Sequence, residues 1–240
     1  MVQYKKYPEE KEEEQVRCIL VCAGELRTDR VNVEDGDFVI AVDGGMESCR
    51  RLGIVPELVL GDFDSAEGTA AEVIRQMEQK ESGRVLRLPC EKDDTDTLAA
   101  LKEGLRRGYR EFMIYGGTGG RFDHTLANIQ CLLFLRNQGA RGYLLGKREM
   151  TFLIHRERVS FPPAAKGTLS LFSMSEESSG VTIRGLKYTT EKATLRNDFP
   201  IGISNEFIGQ SASVEVAEGS LVCMISCEEE IDFIPKIIPG

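Results

Sequence analysis

The chain has 240 residues, of which 41% are hydrophobic and 29% are charged, a composition typical of an ordinary soluble globular protein. Its formal net charge of −9 argues against nucleic acid as the main partner, because no basic patch is available to meet phosphates. No apolar run approaches the roughly 18 residues that a membrane-spanning helix needs. Residues 1–15 are charged and lack an apolar core, so we expect a flexible leader there rather than a signal peptide.

The seven cysteines are an odd number and lie mostly in apolar segments. This usage is typical of reduced thiols in a cytoplasm, where disulfides are rare. The sequence therefore predicts a cytoplasmic protein that folds without disulfide bonds.

The first part of the chain alternates short apolar runs with helical patterns. The predicted strands span residues 18–23, 38–42, 58–60, 85–88, 112–115 and 143–145. Because these runs are apolar throughout, they indicate an open, mainly parallel, Rossmann-like α/β sheet with helices on both faces. The segment 125–137 is apolar on nearly all sides, which predicts a buried helix.

Beyond residue 147 the pattern changes to short strand candidates separated by Gly, Pro and Ser clusters. These candidates span residues 150–154, 159–161, 168–173, 181–183, 193–195, 213–216 and 221–226, and a helical period returns only at the last residues. Such spacing predicts a small antiparallel β-sandwich. We therefore expect an α/β domain over residues 16–146 and a sandwich domain over residues 147–240, packed on one another without a long linker.

The stretch 58–65, LVLGDFDS, ends a predicted strand and then presents Asp62 and Asp64. A turn after Gly61 would bring both carboxylates to one point, where they repel unless a cation lies between them. Mg²⁺ is commonly held by one or two carboxylates together with substrate phosphates. An Asx-turn with a solvated Asp pair is the alternative.

Other polar clusters also follow strands, and in an open α/β sheet that edge is where ligands bind. Asp43 follows the second strand, and an Asp cluster at residues 93–96 opens a helix, where one Asp is expected as the cap. Capping does not explain the whole cluster, and Asp93 and Asp96 would share a helix face. Separate motifs are therefore predicted to converge on one crevice.

Glycines at residues 116–120, GGTGG, follow a strand and precede a helix, although neither a P-loop nor a G-x-G-x-x-G motif is present. Consecutive glycines let backbone N–H groups approach phosphate oxygens, and Arg121 adds a bidentate donor. A flexible surface loop is the alternative, with Asp123 as a helix cap and His124 as an ordinary first-turn residue. Phosphates beside carboxylates imply a nucleotide with Mg²⁺.

Taken together, the motifs resemble those of thiamine pyrophosphokinases, in order and in spacing, over about residues 18–227. The motifs are DGG at residues 43–45, GDFDS at 61–65, KDDTD at 92–96, GGRFDH at 119–124 and GISNE at 202–206. The resemblance implies an α/β catalytic domain, a β-sandwich domain, a homodimer with shared active sites, and transfer of pyrophosphate from ATP to thiamine.

The same resemblance implies roles for individual residues. The catalytic set would be Asp62, Asp64, Asp93 and Asp96, of which Asp62, Asp64 and Asp96 would hold Mg²⁺. The ATP side would comprise Asp43, Gly44, Gly117, Gly119, Arg121, Asp123 and His124. Thiamine would meet Ser204 and Asn205, for which a plain turn is the alternative. Animal members are expected to stack a tryptophan on the thiamine pyrimidine, but this chain has no Trp, so another side chain must serve.

The implied reaction is an in-line attack of the thiamine hydroxyl on the β-phosphorus of ATP, with AMP as the leaving group. A metal-dependent phosphohydrolase or another small-molecule kinase is the first alternative, since both can use the same motifs. A non-catalytic nucleotide or thiamine sensor is the second.

Overall fold

The computed structural model describes residues 16–26, 28, 30–63, 68–80, 83–89 and 93–239. The first part of the chain alternates strands and helices, as predicted. These elements are β1 (Cys18–Val21), β2 (Phe38–Val42), α1 (Gly45–Leu52), β3 (Leu58–Gly61), α2 (Gly68–Lys80), β4 (Val85–Arg87), α3 (Asp96–Arg106), β5 (Glu111–Tyr115), α4 (Phe122–Asn137) and β6 (Arg141–Leu145).

These strands lie in the order β6-β5-β1-β2-β3-β4, and every neighbouring pair among them is parallel. Their carboxyl ends therefore meet along one side of the sheet, which we call the carboxyl edge. The strand order reverses between β1 and β5, and such a switch point opens a crevice for ligands in α/β sheets.

Alternate side chains of the central strands point to opposite faces, and each face is covered by two helices. Leu20 and Phe112 pack with Leu101 of α3 and Leu132 of α4. On the other face, Val39 and Val59 belong to a cluster that includes Met46 and Cys49 of α1 and Ile74 of α2. Because both faces of the central strands are buried, these strands are apolar throughout instead of alternating.

The prediction of a buried α4 is wrong for the start of that helix. Leu132 and Leu135 are buried, but Leu126, within the predicted segment 125–137, is 48% exposed, and Phe122, which the helix includes before that segment, is 79% exposed. Both exposed side chains lie just after the glycine loop, whereas the buried residues of the helix begin only at Asn128. The exposed apolar side chains at the start of α4 are therefore not part of the hydrophobic core of the single chain.

The second part of the chain is all β, as predicted. Its strands are β7 (Glu149–His155), β8 (Glu157–Phe161), β9 (Thr168–Ser173), β10 (Glu177–Arg184), β11 (Thr190–Arg196), β12 (Asn205–Glu206), β13 (Ala212–Glu215), β14 (Ser220–Ser226) and β15 (Lys236–Pro239). The helical period expected at the last residues is wrong, because Ile237 pairs with Val159 in a β-ladder, and tertiary pairing overrides local preference.

One sheet runs through both parts of the chain. β6 and β7 pair antiparallel across the turn at Gly146, so the parallel strands continue into β7, β14, β9 and β12 to give a ten-stranded sheet. A five-stranded sheet in the order β11-β10-β13-β8-β15 forms the second layer of the sandwich. Aromatic contacts between Tyr143, Phe152 and Phe161, with centroid distances of 5.8 and 6.4 Å, lie in the shared core.

The cysteines behave as buried apolar side chains. Among the described residues, five of six cysteines are buried and all six are free. Burial raises the pKa of the Cys22 thiol to about 12 and that of Cys131 to about 11, so both stay protonated at neutral pH. Within the described ranges, no helix has both the length and the apolar character needed to span a membrane.

Candidate active site

The ends of β2 and β3 bring Asp43 and Asp62 to neighbouring points of the carboxyl edge. The Asp43 N–H donates to the Leu60 carbonyl at 2.7 Å. A Cβ placed on Gly61 would lie 3.0 Å from the Cα of Asp43, so glycine permits this close approach. Asp43 (φ 49°) and Phe63 (φ 58°) both adopt the left-handed backbone region, which non-glycine residues occupy mainly at turns and functional sites.

The glycine pair after Asp43 has a packing role as well. A Cβ on Gly45 would lie 1.9 Å from the carbonyl oxygen of Val21, so only glycine lets α1 start directly against β1. Gly44 precedes the helix as its N-cap residue and is exposed at the carboxyl edge. Of the two, Gly44 is therefore the one available to a ligand.

Thr95, and not an aspartate, caps α3. Its hydroxyl accepts a hydrogen bond from the Leu98 N–H at 3.2 Å, which contradicts the expectation that one Asp of the cluster is the cap. Asp94 instead pairs with Lys102 at 2.7 Å. Asp93 is exposed, and Asp96 is half-buried in the first turn of the helix.

The start of α3 lies beside the end of β1. The Thr97 hydroxyl is 3.7 Å from the Cys22 sulfur, and both residues are buried. This contact places Asp96 on the same carboxyl edge as Asp43 and Asp62. Asp43, Asp62 and Asp96 therefore lie along one edge of the sheet, while Asp64 lies outside the described residues.

The base of the glycine loop is fixed at the switch point between β1 and β5. The Gly24 N–H donates to the Gly116 carbonyl at 3.0 Å, and a Cβ on Gly24 would lie 2.3 Å from that oxygen. On the other side, the buried Asn128 side chain of α4 donates to the Gly117 carbonyl at 2.7 Å. Gly119 and Gly120, with φ of 86° and 65°, form the outer turn.

Arg121, Asp123 and His124 follow the loop on the surface. The Arg121 guanidinium contacts both carboxylate oxygens of Asp123, at 2.6 and 3.2 Å, and lowers the pKa of that carboxyl. Arg121 is the N-cap residue of α4, so the alternative that Asp123 caps the helix is wrong. Exposed ion pairs are weak, so Arg121 can exchange this carboxylate for another anion at little cost.

Ser204 and Asn205 lie far from the other predicted site residues. They precede and begin β12, which is separated from β1 by five strands in the long sheet. At about 4.8 Å per strand, that is roughly 30 Å measured across the sheet. The chain therefore does not bring its two sets of predicted site residues together through this sheet.

Asn205 holds the backbone of a second segment. Its amide oxygen accepts from the Tyr188 N–H at 2.9 Å, and its amide nitrogen donates to the Tyr188 carbonyl at 2.6 Å. Ser204 has a φ of 56°, and its N–H donates to the Ser170 hydroxyl at 3.0 Å. Most of the hydrogen-bonding capacity of Asn205 is therefore used within the chain.

Tyr188 is a further candidate site residue, which no sequence motif indicates. Its side chain is 62% exposed although its backbone is held twice by Asn205, and it lines an apolar cavity of about 230 Å³ together with Ile183, Leu195 and Ile203. Tyr188 follows Lys187 in a polar segment, and nothing in the sequence there distinguishes it from an ordinary surface tyrosine. Its link to Asn205 is a contact with β12 that spans seventeen positions.

The carboxylates at the carboxyl edge suit a hard cation. Among residues 16–239, apart from the stretches not described, no group of three or more His, Cys, Asp or Glu side chains is placed to hold a metal alone. Asp43, Asp62 and Asp96 nevertheless offer only oxygen ligands along one edge. Mg²⁺ usually takes one or two carboxylates, several waters and substrate phosphates, so this donor set fits an ion bound jointly with a nucleotide.

An α/β sheet with a glycine loop at its switch point, continued into a β-sandwich, defines a two-part protein of the kind that binds ligands at the carboxyl edge of its parallel strands. Residues 31–144 match the family model for the thiamin pyrophosphokinase catalytic domain, and residues 156–221 match that for the thiamin pyrophosphokinase vitamin B1 binding domain. The chain belongs to the thiamin pyrophosphokinase family.

Individual relatives agree with the family models. The thiamine pyrophosphokinase of Bacillus subtilis is 29% identical over 197 residues, which cover 79% of this chain and 87% of that relative. The crystal structure of thiamine pyrophosphokinase from Bacillus subtilis superposes with a TM-score of 0.79 at 26% identity, covering 88% of this chain and 99% of the other. For the family protein from Enterococcus faecalis, the TM-score is 0.74 at 28% identity, with 89% and 100% covered.

Proposed function

We propose that the protein transfers a pyrophosphate group from ATP to the hydroxyl of thiamine, giving thiamine diphosphate and AMP. The observation that carries this proposal is the placement of a fixed glycine loop and three carboxylates along one edge of the sheet. The names of the relatives supply the acceptor, because the described relatives are thiamine pyrophosphokinases. The protein is accordingly an ATP-dependent transferase.

The proposed ATP site uses the loop, its flanking residues and the end of β2. N–H groups of the turn containing Gly117 and Gly119 would face the phosphates, and the start of α4 would add a favourable dipole. Arg121 would leave Asp123 and bind a phosphate with its fork of donors, with His124 beside it. Asp43 and Gly44 would border the nucleotide from the neighbouring strand.

The acidic residues would orient the reacting groups. Asp62, Asp64 and Asp96 would hold Mg²⁺, with Asp93 beside them, and Mg²⁺ bound there would neutralise phosphate charge during transfer. The thiamine hydroxyl attacks the β-phosphorus, the bond to the bridging oxygen breaks, and AMP leaves. One of these carboxylates would accept the hydroxyl proton, and their charge also suits the cationic thiazolium.

We further propose a homodimer in which each active site is shared. Residues 16–146 would act as the catalytic domain and residues 147–240 as the thiamine-binding domain, so the roughly 30 Å across one sheet must be closed by a second copy. Exposed apolar side chains support this, since Phe122 and Leu126 lie beside the glycine loop and Ile201 and Ile203 lie beside Ser204. In a dimer with twofold symmetry, the Phe122 patch of each subunit could pack on the Ile201 patch of the other, so the same contact would form two times. Buried free thiols suit the proposed cytoplasmic location.

The direct test is incubation of the protein with ATP, Mg²⁺ and thiamine, with the products resolved by mass. We expect thiamine diphosphate and AMP in equal amounts. ADP with thiamine monophosphate would instead indicate an ordinary kinase. Free phosphate without modified thiamine would indicate a phosphohydrolase, and tight binding without turnover would indicate a sensor.

Tyr188 is our candidate for the aromatic face that the missing tryptophan would provide. Changing Tyr188 to Ala is expected to raise the KM for thiamine about tenfold, because stacking on the pyrimidine and contact with the thiazolium cation are lost. The KM for ATP should stay unchanged. Steady-state kinetics with each substrate varied in turn would measure both constants.

Tyr188→Phe is the matched control, because it keeps the ring and removes only the hydroxyl. It should stay close to wild type if the ring is the functional part. A tenfold rise for Phe as well would assign the contact to the hydroxyl, and no rise for Ala would remove Tyr188 from the site.

Arg121→Ala is expected to raise the KM for ATP about tenfold and the KM for thiamine much less, because one bidentate charged contact to a phosphate is lost. Arg106→Ala provides a matched control, since Arg106 is also exposed and also pairs bidentately with a carboxylate, that of Glu103. That control should leave both constants unchanged. If only the thiamine constant rises in Arg121→Ala, the two substrates have been assigned to the wrong sides.

A further inference from the structure

Phe63 directly follows Asp62 and has an unusual backbone. Its φ of 58° lies in the left-handed region, which is costly for a bulky side chain. Its ring is nevertheless only 9% exposed. A residue keeps such a conformation only where its surroundings hold it there, so the contacts of this ring decide how the chain leaves β3.

Arg87 covers the Phe63 ring from the neighbouring strand. It is the last residue of β4 and pairs in register with Gly61, and the Leu88 N–H donates to the Gly61 carbonyl at 2.9 Å. The guanidinium carbon of Arg87 lies 5.1 Å from the centroid of Phe63, within the range of a cation–π contact.

Arg87 is itself held in place by α2. Its Nε donates to one carboxylate oxygen of Glu78 at 2.7 Å, and a terminal nitrogen lies 3.4 Å from the other oxygen. A two-point pair of this kind fixes the plane of the guanidinium, which a lysine could not reproduce. Glu78, Arg87 and Phe63 therefore form a continuous series of contacts from α2 to the residue after Asp62.

We propose that Arg87 is a positioning residue: through Phe63 it holds the turn at the end of β3 so that the Asp62 carboxylate faces the metal-bound phosphates of ATP. This inference rests on the proposed function. It assigns to Arg87 no contact with substrate, and it predicts that losing Arg87 weakens only the binding that depends on Asp62 and a divalent cation.

The test compares nucleotide binding with and without the cation. Wild type, Arg87→Ala, Phe63→Leu and the double variant are titrated with a non-hydrolysable ATP analogue by calorimetry, in Mg²⁺ and in EDTA. In Mg²⁺ we expect Arg87→Ala to raise Kd by about two- to fivefold, the scale of one cation–π contact. In EDTA its Kd should equal that of wild type.

The double variant separates coupling from coincidence. Phe63→Leu should show the same Mg²⁺-dependent rise, and the double variant should be no worse than either single variant, because both remove one shared contact. Arg75→Ala is the matched control, since Arg75 lies on α2 and pairs with Glu72. It should leave Kd unchanged in both buffers.

Three results would overturn the proposal: an equal loss in Mg²⁺ and EDTA, which would make Arg87 a direct phosphate ligand; no loss at all; or additive losses in the double variant. If Arg87→Ala does not fold, Glu78→Gln replaces it, with a smaller loss expected in Mg²⁺ only. Failure of the wild-type protein to bind the analogue in Mg²⁺ would instead contradict the proposed function.

Discussion

Asp62→Asn is expected to lower kcat by at least about a hundredfold, because an amide is a poor ligand for Mg²⁺ and leaves phosphate charge uncompensated during transfer. The substitution keeps the size and shape of the side chain, so the melting temperature should stay close to that of wild type. Turnover measured by AMP release, together with a thermal melt, would test both parts. Asp64→Asn should have a comparable effect, from a position outside the described residues.

Asp94→Asn is the matched control for Asp62→Asn. Asp94 also lies at the carboxyl edge, but its carboxylate is engaged by Lys102 at 2.7 Å. We expect its kcat to stay within about twofold of wild type, since an exposed pair of this kind contributes little. Near-normal turnover in Asp62→Asn would remove that residue from the proposed metal site.

Mixing two inactive variants is expected to restore activity if the sites are shared between subunits. Asp62→Asn damages the catalytic half, and Asn205→Ala releases the Tyr188 backbone and damages the thiamine half. After subunit exchange, half of the dimers combine both variants, and each such dimer has one site with both defects and one with neither. Recovery should therefore reach about a quarter of wild-type activity.

The control is the same mixture under conditions that prevent exchange, which should stay inactive. If Asn205→Ala does not fold, Tyr188→Ala replaces it, because its side chain is exposed. Thiamine is then kept well below KM, where this variant alone should keep about a tenth of wild-type activity, and recovery is measured above that level. No recovery, with exchange verified by mass spectrometry of intact dimers, would mean that each chain builds its own site.

Local pattern was sufficient for most of the secondary structure. β2 and β9 have the predicted bounds. β2 is buried on both faces and is apolar throughout, whereas β9 alternates buried and half-buried residues, and both patterns are visible in the sequence. β12 and β15 were missed, since a two-residue strand has no period to detect and the pairing of β15 depends on β8 across the sandwich. The exposed start of α4 was missed because hydropathy does not distinguish apolar side chains of the core from apolar side chains on the surface of the chain.

The candidate site was predictable where its residues follow strands, and less so where long-range contacts decide. Asp43, Asp62 and Asp96 could be placed along one edge of the sheet because parallel strands share a carboxyl edge. The cap of α3 could not be predicted, because Asp93, Asp94 and Thr95 are adjacent and each can accept a hydrogen bond from the start of a helix. In the structure the Thr95 hydroxyl accepts from the Leu98 N–H. The contacts of Asn205 with Tyr188 and of Arg87 with Phe63 join separate elements, so no local pattern reports them.

The continuity of the ten-stranded sheet has a consequence for how the protein folds. A chain cut at Gly146 would leave β6 as an unprotected apolar margin, ready to pair with another molecule, so the first 146 residues are a poor independent folding unit. Buried Glu157 of β8 strengthens the connection, since it pairs with Arg136 of α4 and Arg141 of β6. We therefore expect the two halves to melt together in one cooperative transition, so that each half depends on the other for its folded state.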